Sequence, residues 1–142
     1  MTRGARQEIG FSCQTASADI KMSDELTERI IGAAVEVHRH LGSGLLESIY
    51  EDALAHEFVL RGLRSEKQVP VDVLYKDIRI QGQRLDLLVE AQVIVEVKSL
   101  KVIPEVAPAQ VLSYLKATGL KRALLINFGE SKLVNGIRRF SL

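Results

Sequence analysis

Two short apolar runs separated by three residues constrain this chain more than any other feature. Leu85–Val89 and Val93–Val97 are apolar at nearly every position, so both faces of each strand need cover. A strand with one wet face would alternate in polarity instead. The intervening Glu90-Ala91-Gln92 reads as a hairpin loop. A sheet centre covered on two sides calls for helices above and below it.

The flanking sequence supplies those helices. Leu26, Ile30, Ala34, Val37 and Leu41 recur at helical spacing, with Ser23 or Asp24 as N-cap and Gly42-Ser43-Gly44 as the stop. A second helix carries Leu46, Tyr50, Ala53 or Leu54, and Phe58 on one stripe and ends near Arg61-Gly62. The period then drops to two: Val69, Val71, Val73 and Tyr75 form a half-buried strand, which Pro70 places at a sheet edge. Ile78 and Ile80 continue it as far as Gln81-Gly82-Gln83. Pro104 to Thr118 is helical again, with Val106, Ala109, Val111, Leu112 and Leu115, and Gly119 stops it. Ala123–Phe128 reads as a buried strand, and Ile137 with Phe140 as a final edge element. The expected architecture is a mixed α/β layer with a sheet of four or five strands covered by helices.

The 142 residues make one domain. Residues 1–21 lack periodicity and an apolar signal core, and read as a loosely ordered leader before a folded unit at 22–142. The apolar runs fall far short of the ~20 residues of a membrane span. Cys13, the lone cysteine, rules out an internal disulfide framework and a multi-cysteine metal centre, and suits a cytoplasmic setting. A net charge of +1 excludes an all-round basic coat but not a local basic stripe. With no Trp and seven other aromatic residues, a base-stacking platform is disfavoured.

Three ionisable residues sit where the pattern demands core: Asp86, Glu96 and Lys98. Glu96 and Lys98 share one strand face. With a three-residue loop, Val89 pairs with Val93 and Asp86 falls opposite Glu96; an even loop would send Asp86 to the other face. Asp86, Glu96 and the main-chain carbonyl of Val97 are hard oxygen donors suited to Mg²⁺ or Mn²⁺, with Lys98 to position a water or offset developing negative charge. The alternative is an ordinary Glu96–Lys98 pair, with Asp86 capping a loop. Glu47, taken alone, is better explained by the electrostatics of a helix N-terminus and a capping box. Gln110 and Tyr114, one turn apart, could be a polar seam on a surface helix.

Gly44-Leu45-Leu46-Glu47-Ser48-Ile49-Tyr50 spells G-x-x-E-x-x-Y. With Arg84–Glu90, Val95-Glu-Val-Lys98, Gln110-Val-Leu-Ser-Tyr114 and Leu124–Gly129, it resembles the GxxExxY family of the PD-(D/E)XK nuclease-like superfamily. Leu85 stands where the superfamily name has proline. The resemblance implies a restriction-endonuclease-like core, Asp86 and Glu96 as metal-binding carboxylates, and Lys98 as the catalytic lysine. It also implies Glu47 as the acid from the helix layer, and Gln110 and Tyr114 as the Q-x-x-x-Y element. The expected activity is Mg²⁺- or Mn²⁺-dependent cleavage of nucleic acid, DNA ahead of RNA. The competing expectation is a catalytically inactive nuclease-fold module for nucleic-acid binding or assembly. A homodimer, through the edge near Ile137–Leu142, or a larger protein partner is compatible with so small a core.

Overall fold

The computed structural model describes residues 18–142, and side chains from residue 24 onward. Most of the leader expected at 1–21, with Cys13, lies outside the described residues. The chain runs α1 (Ala18–Leu41), α2 (Glu47–Leu60), β1 (Ser65–Tyr75), β2 (Ile78–Val89), β3 (Val93–Lys98), α3 (Val106–Thr118), β4 (Arg122–Asn127), a 3₁₀ turn (Leu133–Gly136) and β5 (Ile137–Ser141). The sheet order is β1-β2-β3-β4-β5. Only β3 and β4 run parallel, joined by the α3 crossover, so the sheet is mixed as expected.

Each face of the sheet carries its own core. On one side α1 and α2 bury Ile30, Ala34, Val37, Tyr50, Leu54 and Phe58 against Leu87, Val93, Val95, Leu124 and Ile126. On the other, α3 packs Ala107, Val111, Tyr114 and Leu115 against Val71, Leu85, Ile94, Ala123 and Leu125. β3 is buried along its length until Lys98, as an apolar run with two covered faces requires.

The structure moves several expected boundaries. α1 begins at Ala18, so Ser23 and Asp24 lie within it; no Pro or Gly interrupts residues 18–31. Leu41 leaves the buried stripe in the last turn, where the Gly42 N–H returns to the His38 carbonyl and the chain turns away. Leu46 is the N-cap of α2 and is exposed, so that helix's stripe starts at Tyr50. On α3 the buried face is Ala107, Val111, Tyr114 and Leu115, while Val106, Ala109 and Leu112 face outward.

β1 and β2 form a longer hairpin than the polarity pattern implies. Gln81–Gln83 does not end a strand. A register shift between Val71 and Val73 takes up the extra residue, with Gly82 at φ 129°. Past this bulge the hairpin extends beyond the helices, so Val73 and Tyr75 are exposed rather than half-buried, together with Leu74, Ile78 and Ile80. β1 and β5 are the sheet edges, in line with Pro70 and the terminal strand. Leu124→Ala should therefore cost about 3 kcal/mol and Leu74→Ala less than about 0.5 kcal/mol, read from denaturant midpoints.

Candidate metal and catalytic site

The tight hairpin between β2 and β3 sets the geometry of the site. Glu90 and Ala91 both adopt positive φ, 52° and 54°, and the Gln92 N–H closes the turn on the Val89 carbonyl at 2.9 Å. Glu90 is held there by the Arg64 N–H, which donates to its carboxylate at 2.6 Å. The resulting register pairs Val89 with Val93, Leu88 with Ile94 and Leu87 with Val95. One step further, Asp86 meets Glu96, as the odd loop predicted.

At that step the backbone ladder stops and side chains take it over. The Asp86 N–H donates to Glu96 Oε1 at 3.0 Å, and the Val97 N–H donates to Asp86 Oδ2 at 2.8 Å. Each carboxylate thus completes the main chain of the opposite strand. Each also has a second oxygen: Asp86 Oδ1 lies 3.5 Å from the Gln68 amide, and Glu96 Oε2 receives no hydrogen bond among the described residues.

Glu96 is only 4% exposed. Burial first, and then the neighbouring Asp86 charge, push its carboxyl up to about 8; the Asp86 N–H and Lys98 pull the other way without prevailing. Lys98 is half-buried on the same strand face, and its ammonium makes no hydrogen bond or ion pair among the described residues. The side chain of Val97 lies in the core, while its N–H reaches Asp86.

The helices approach this pair from two directions. On α3, Tyr114 is buried, and burial followed by the charges of Glu96 and Asp86 raises its hydroxyl to about 12. It is a core residue beside the carboxylates rather than part of a surface seam. Gln110 is half-buried one turn before it. On α2, Glu47 is exposed at the first turn and carries no hydrogen bond or ion pair among the described residues.

Glu51, one turn beyond Glu47, is the α2 carboxylate that reaches the pair. Gln68 Nε2 donates to both its oxygens, at 2.9 and 3.1 Å. Burial and the Asp86 charge raise the Glu51 carboxyl against the lowering effect of Gln68. Gln68 itself sits at φ 53°, a left-handed conformation in the middle of β1, where the β1–β2 pairing skips Gln68 and Asp86. Sequence reasoning missed both partners. Glu51 was within reach, since it shares a helix face with Glu47, but no local signal marks Gln68.

Tyr50 of the G-x-x-E-x-x-Y stretch points inward. Its hydroxyl donates to the Gly42 carbonyl at 2.5 Å and accepts the Leu45 N–H at 3.2 Å, and its ring stacks on Phe128 at 4.5 Å. The Ser99 hydroxyl donates to the Leu45 carbonyl at 2.5 Å. The loop entering α2 is thereby tied to the residue following Lys98.

The donor set suits a hard divalent cation. Two carboxylates keep one oxygen each after serving the main chain, and buried Glu96 has no ion-pair partner among the described residues to favour its ionised form. Among the described residues no group of three or more His, Cys, Asp and Glu converges as a self-sufficient cage. Two carboxylates supplemented by water are the arrangement Mg²⁺ usually accepts.

The Glu96 shift also links stability to pH in metal-free protein. Below pH 4.5 both folded and unfolded chains hold the proton. Between 4.5 and about 8 only the unfolded chain releases it, so stability falls as pH rises through that window. Unfolding free energies from denaturant titrations in EDTA should decline from pH 5 to 8 by up to about 4 kcal/mol, and Glu96→Gln should abolish the decline. An equal slope in that variant would show that Glu96 does not carry it.

A family model described as the PD-(D/E)XK nuclease superfamily matches residues 24–140. No curated protein and no solved structure matches the chain.

Proposed function

Because the chain belongs to the PD-(D/E)XK nuclease superfamily, we propose that it hydrolyses phosphodiester bonds of nucleic acid with Mg²⁺ or Mn²⁺. The observation that carries this reading is the crossed Asp86–Glu96 pair at the point where the β2–β3 ladder ends, with Lys98 on the same strand face. Asp86 and Glu96 would hold the cation through their second oxygens. The Val97 carbonyl would join them: in an extended strand N–H and C=O project to the same side, and the Val97 N–H already faces Asp86. When bound, the cation supplies Lewis acidity and a water of lowered pKa.

The protein's own groups do the rest. Lys98, half-buried on the Glu96 strand face and without a hydrogen bond or ion pair among the described residues, would orient the attacking water and offset negative charge developing on the phosphate oxygens. Tyr114, held protonated by its surroundings, has a hydroxyl to donate, and Gln110 lies on the same helix face one turn away. Glu47 would contribute from the start of α2 and Glu51 through Gln68. The motif G-x-x-E-x-x-Y, Tyr50 included, supports placement in the GxxExxY branch.

We assign the functional unit to residues 22–142, DNA as the preferred polymer, and the cytoplasm as the setting. Among the described residues no helix is long and apolar enough to cross a membrane. The exposed apolar tip of the β1–β2 hairpin favours the second reading, a nuclease-fold module that binds or assembles without cleaving. The β5 edge is where a homodimer would extend the sheet.

Labelled DNA and RNA incubated with EDTA, Mg²⁺ or Mn²⁺ separate these readings. Cleavage should require the cation, and should fall by about 100-fold or more in Asp86→Asn and Lys98→Ala. Calorimetry should show cation binding lost in the first variant and kept in the second. Metal-indifferent DNA retention without products would instead support the binding module, and full cleavage by Lys98→Ala would remove that residue from the mechanism.

A further inference from the structure

Lys98 stands at the very end of β3, and its ammonium has no partner among the described residues to fix it. With no polar partner among the described residues, its starting point is set by the backbone that carries it. That backbone is held by an unusual residue in the neighbouring strand. Asn127, the register partner of Lys98 on β4, is completely buried and closes the otherwise apolar run Ala123–Ile126. A buried amide is costly unless its donors and acceptors are used.

Asn127 uses them on the turn that follows Lys98. Its Oδ1 accepts the N–H of Leu100 at 2.9 Å and of Gly129 at 3.0 Å, and its Nδ2 donates to the Leu100 carbonyl at 2.8 Å. Both main-chain groups of Leu100 therefore end on one side chain. The Phe128 N–H donates to the Lys98 carbonyl at 2.7 Å. Gly129 lies so close to Leu100 that a Cβ there would overlap the Leu100 backbone, and a Cβ on Gly136 would overlap the Asn127 carbonyl.

We infer that Asn127 is a positioning residue for Lys98: it locks the exit turn of β3 so that the lysine side chain starts from one fixed point. A shift or tilt of the Cα moves the origin and direction of the whole side chain, and displacements near 1 Å at a catalytic group cost about 100-fold in rate. This inference rests on the nuclease reading for its kinetic consequence, but not for the physical effect on Lys98.

The test is a double-mutant cycle with the full chain, using Asn127→Ala and the nearly isosteric Asn127→Asp, each checked for folding by circular dichroism. In the parent background both should lower kcat at least tenfold, with KM and Mg²⁺ affinity by calorimetry within twofold. In the Lys98→Ala background the same changes should alter kcat less than twofold. Losses of equal size in both backgrounds would overturn the inference, because Asn127 would then act on folding or elsewhere.

A second readout needs no cleavage at all. The protein is reductively methylated with ¹³C, and the Lys98 resonance is assigned by its disappearance in Lys98→Arg. Asn127→Asp should shift or broaden that resonance while leaving the resonances of Lys67 and Lys76 in place. An unmoved Lys98 resonance would overturn the positioning role. An inactive parent protein with a moved resonance would sink the nuclease reading while sustaining this one.

Discussion

The exchange of two carboxylates for two missing ladder bonds underlies the arrangement of the site. Past the Leu87–Val95 pair the strand pairing ends, and without the carboxylates the Asp86 and Val97 N–H groups would be left without partners in a largely buried place. Glu96 serves one and Asp86 the other. Neither carboxylate can be replaced by an apolar group without orphaning a main-chain donor on the opposite strand. The same exchange brings two acids together in a poorly solvated space, which disfavours full ionisation of Glu96. The fold thus holds a charge arrangement that a bound cation would complete.

The surrounding elements both bury this pair and reach it with side chains. α3 presents Tyr114 to it from one layer, while Glu51 of α2 reaches it through Gln68. The loop between α1 and α2 is fastened by Tyr50 to itself and by Ser99 to the end of β3. His38 Nε2 lies 2.9 Å from the Glu130 carbonyl, tying the end of α1 to the turn after β4. Much of what looks like motif in the sequence is, in the structure, fastening: Tyr50, Phe128 and Gly129 pack, while Asp86, Glu96 and Lys98 gather at the end of the central hairpin.

The hairpin register followed from a single parity argument, because side chains in a strand alternate and a three-residue loop admits only one facing of Asp86. The long stripe of α1 and the covered strands β3 and β4 followed from periodicity. Tyr114 was visible as half of a spaced pair but not as a buried neighbour of the carboxylates, since its helix is apolar on more than one side. The β1–β2 arm read as half-buried because alternation reports what a strand could bury, not whether a layer lies over it.

By itself the sequence determined the layer architecture, the register of the central hairpin and the identity of the three ionisable residues at its end. These depend on short-range rules: period, loop parity and the cost of a charge in an apolar run. Only the tertiary structure decided which α2 acid reaches the site, that Gln68 bridges to it from a left-handed backbone position, and that Asn127 holds the turn after Lys98. Those contacts join residues 17 to 27 positions apart across different elements. No local pattern encodes them, because each depends on where one packed layer comes to rest against another.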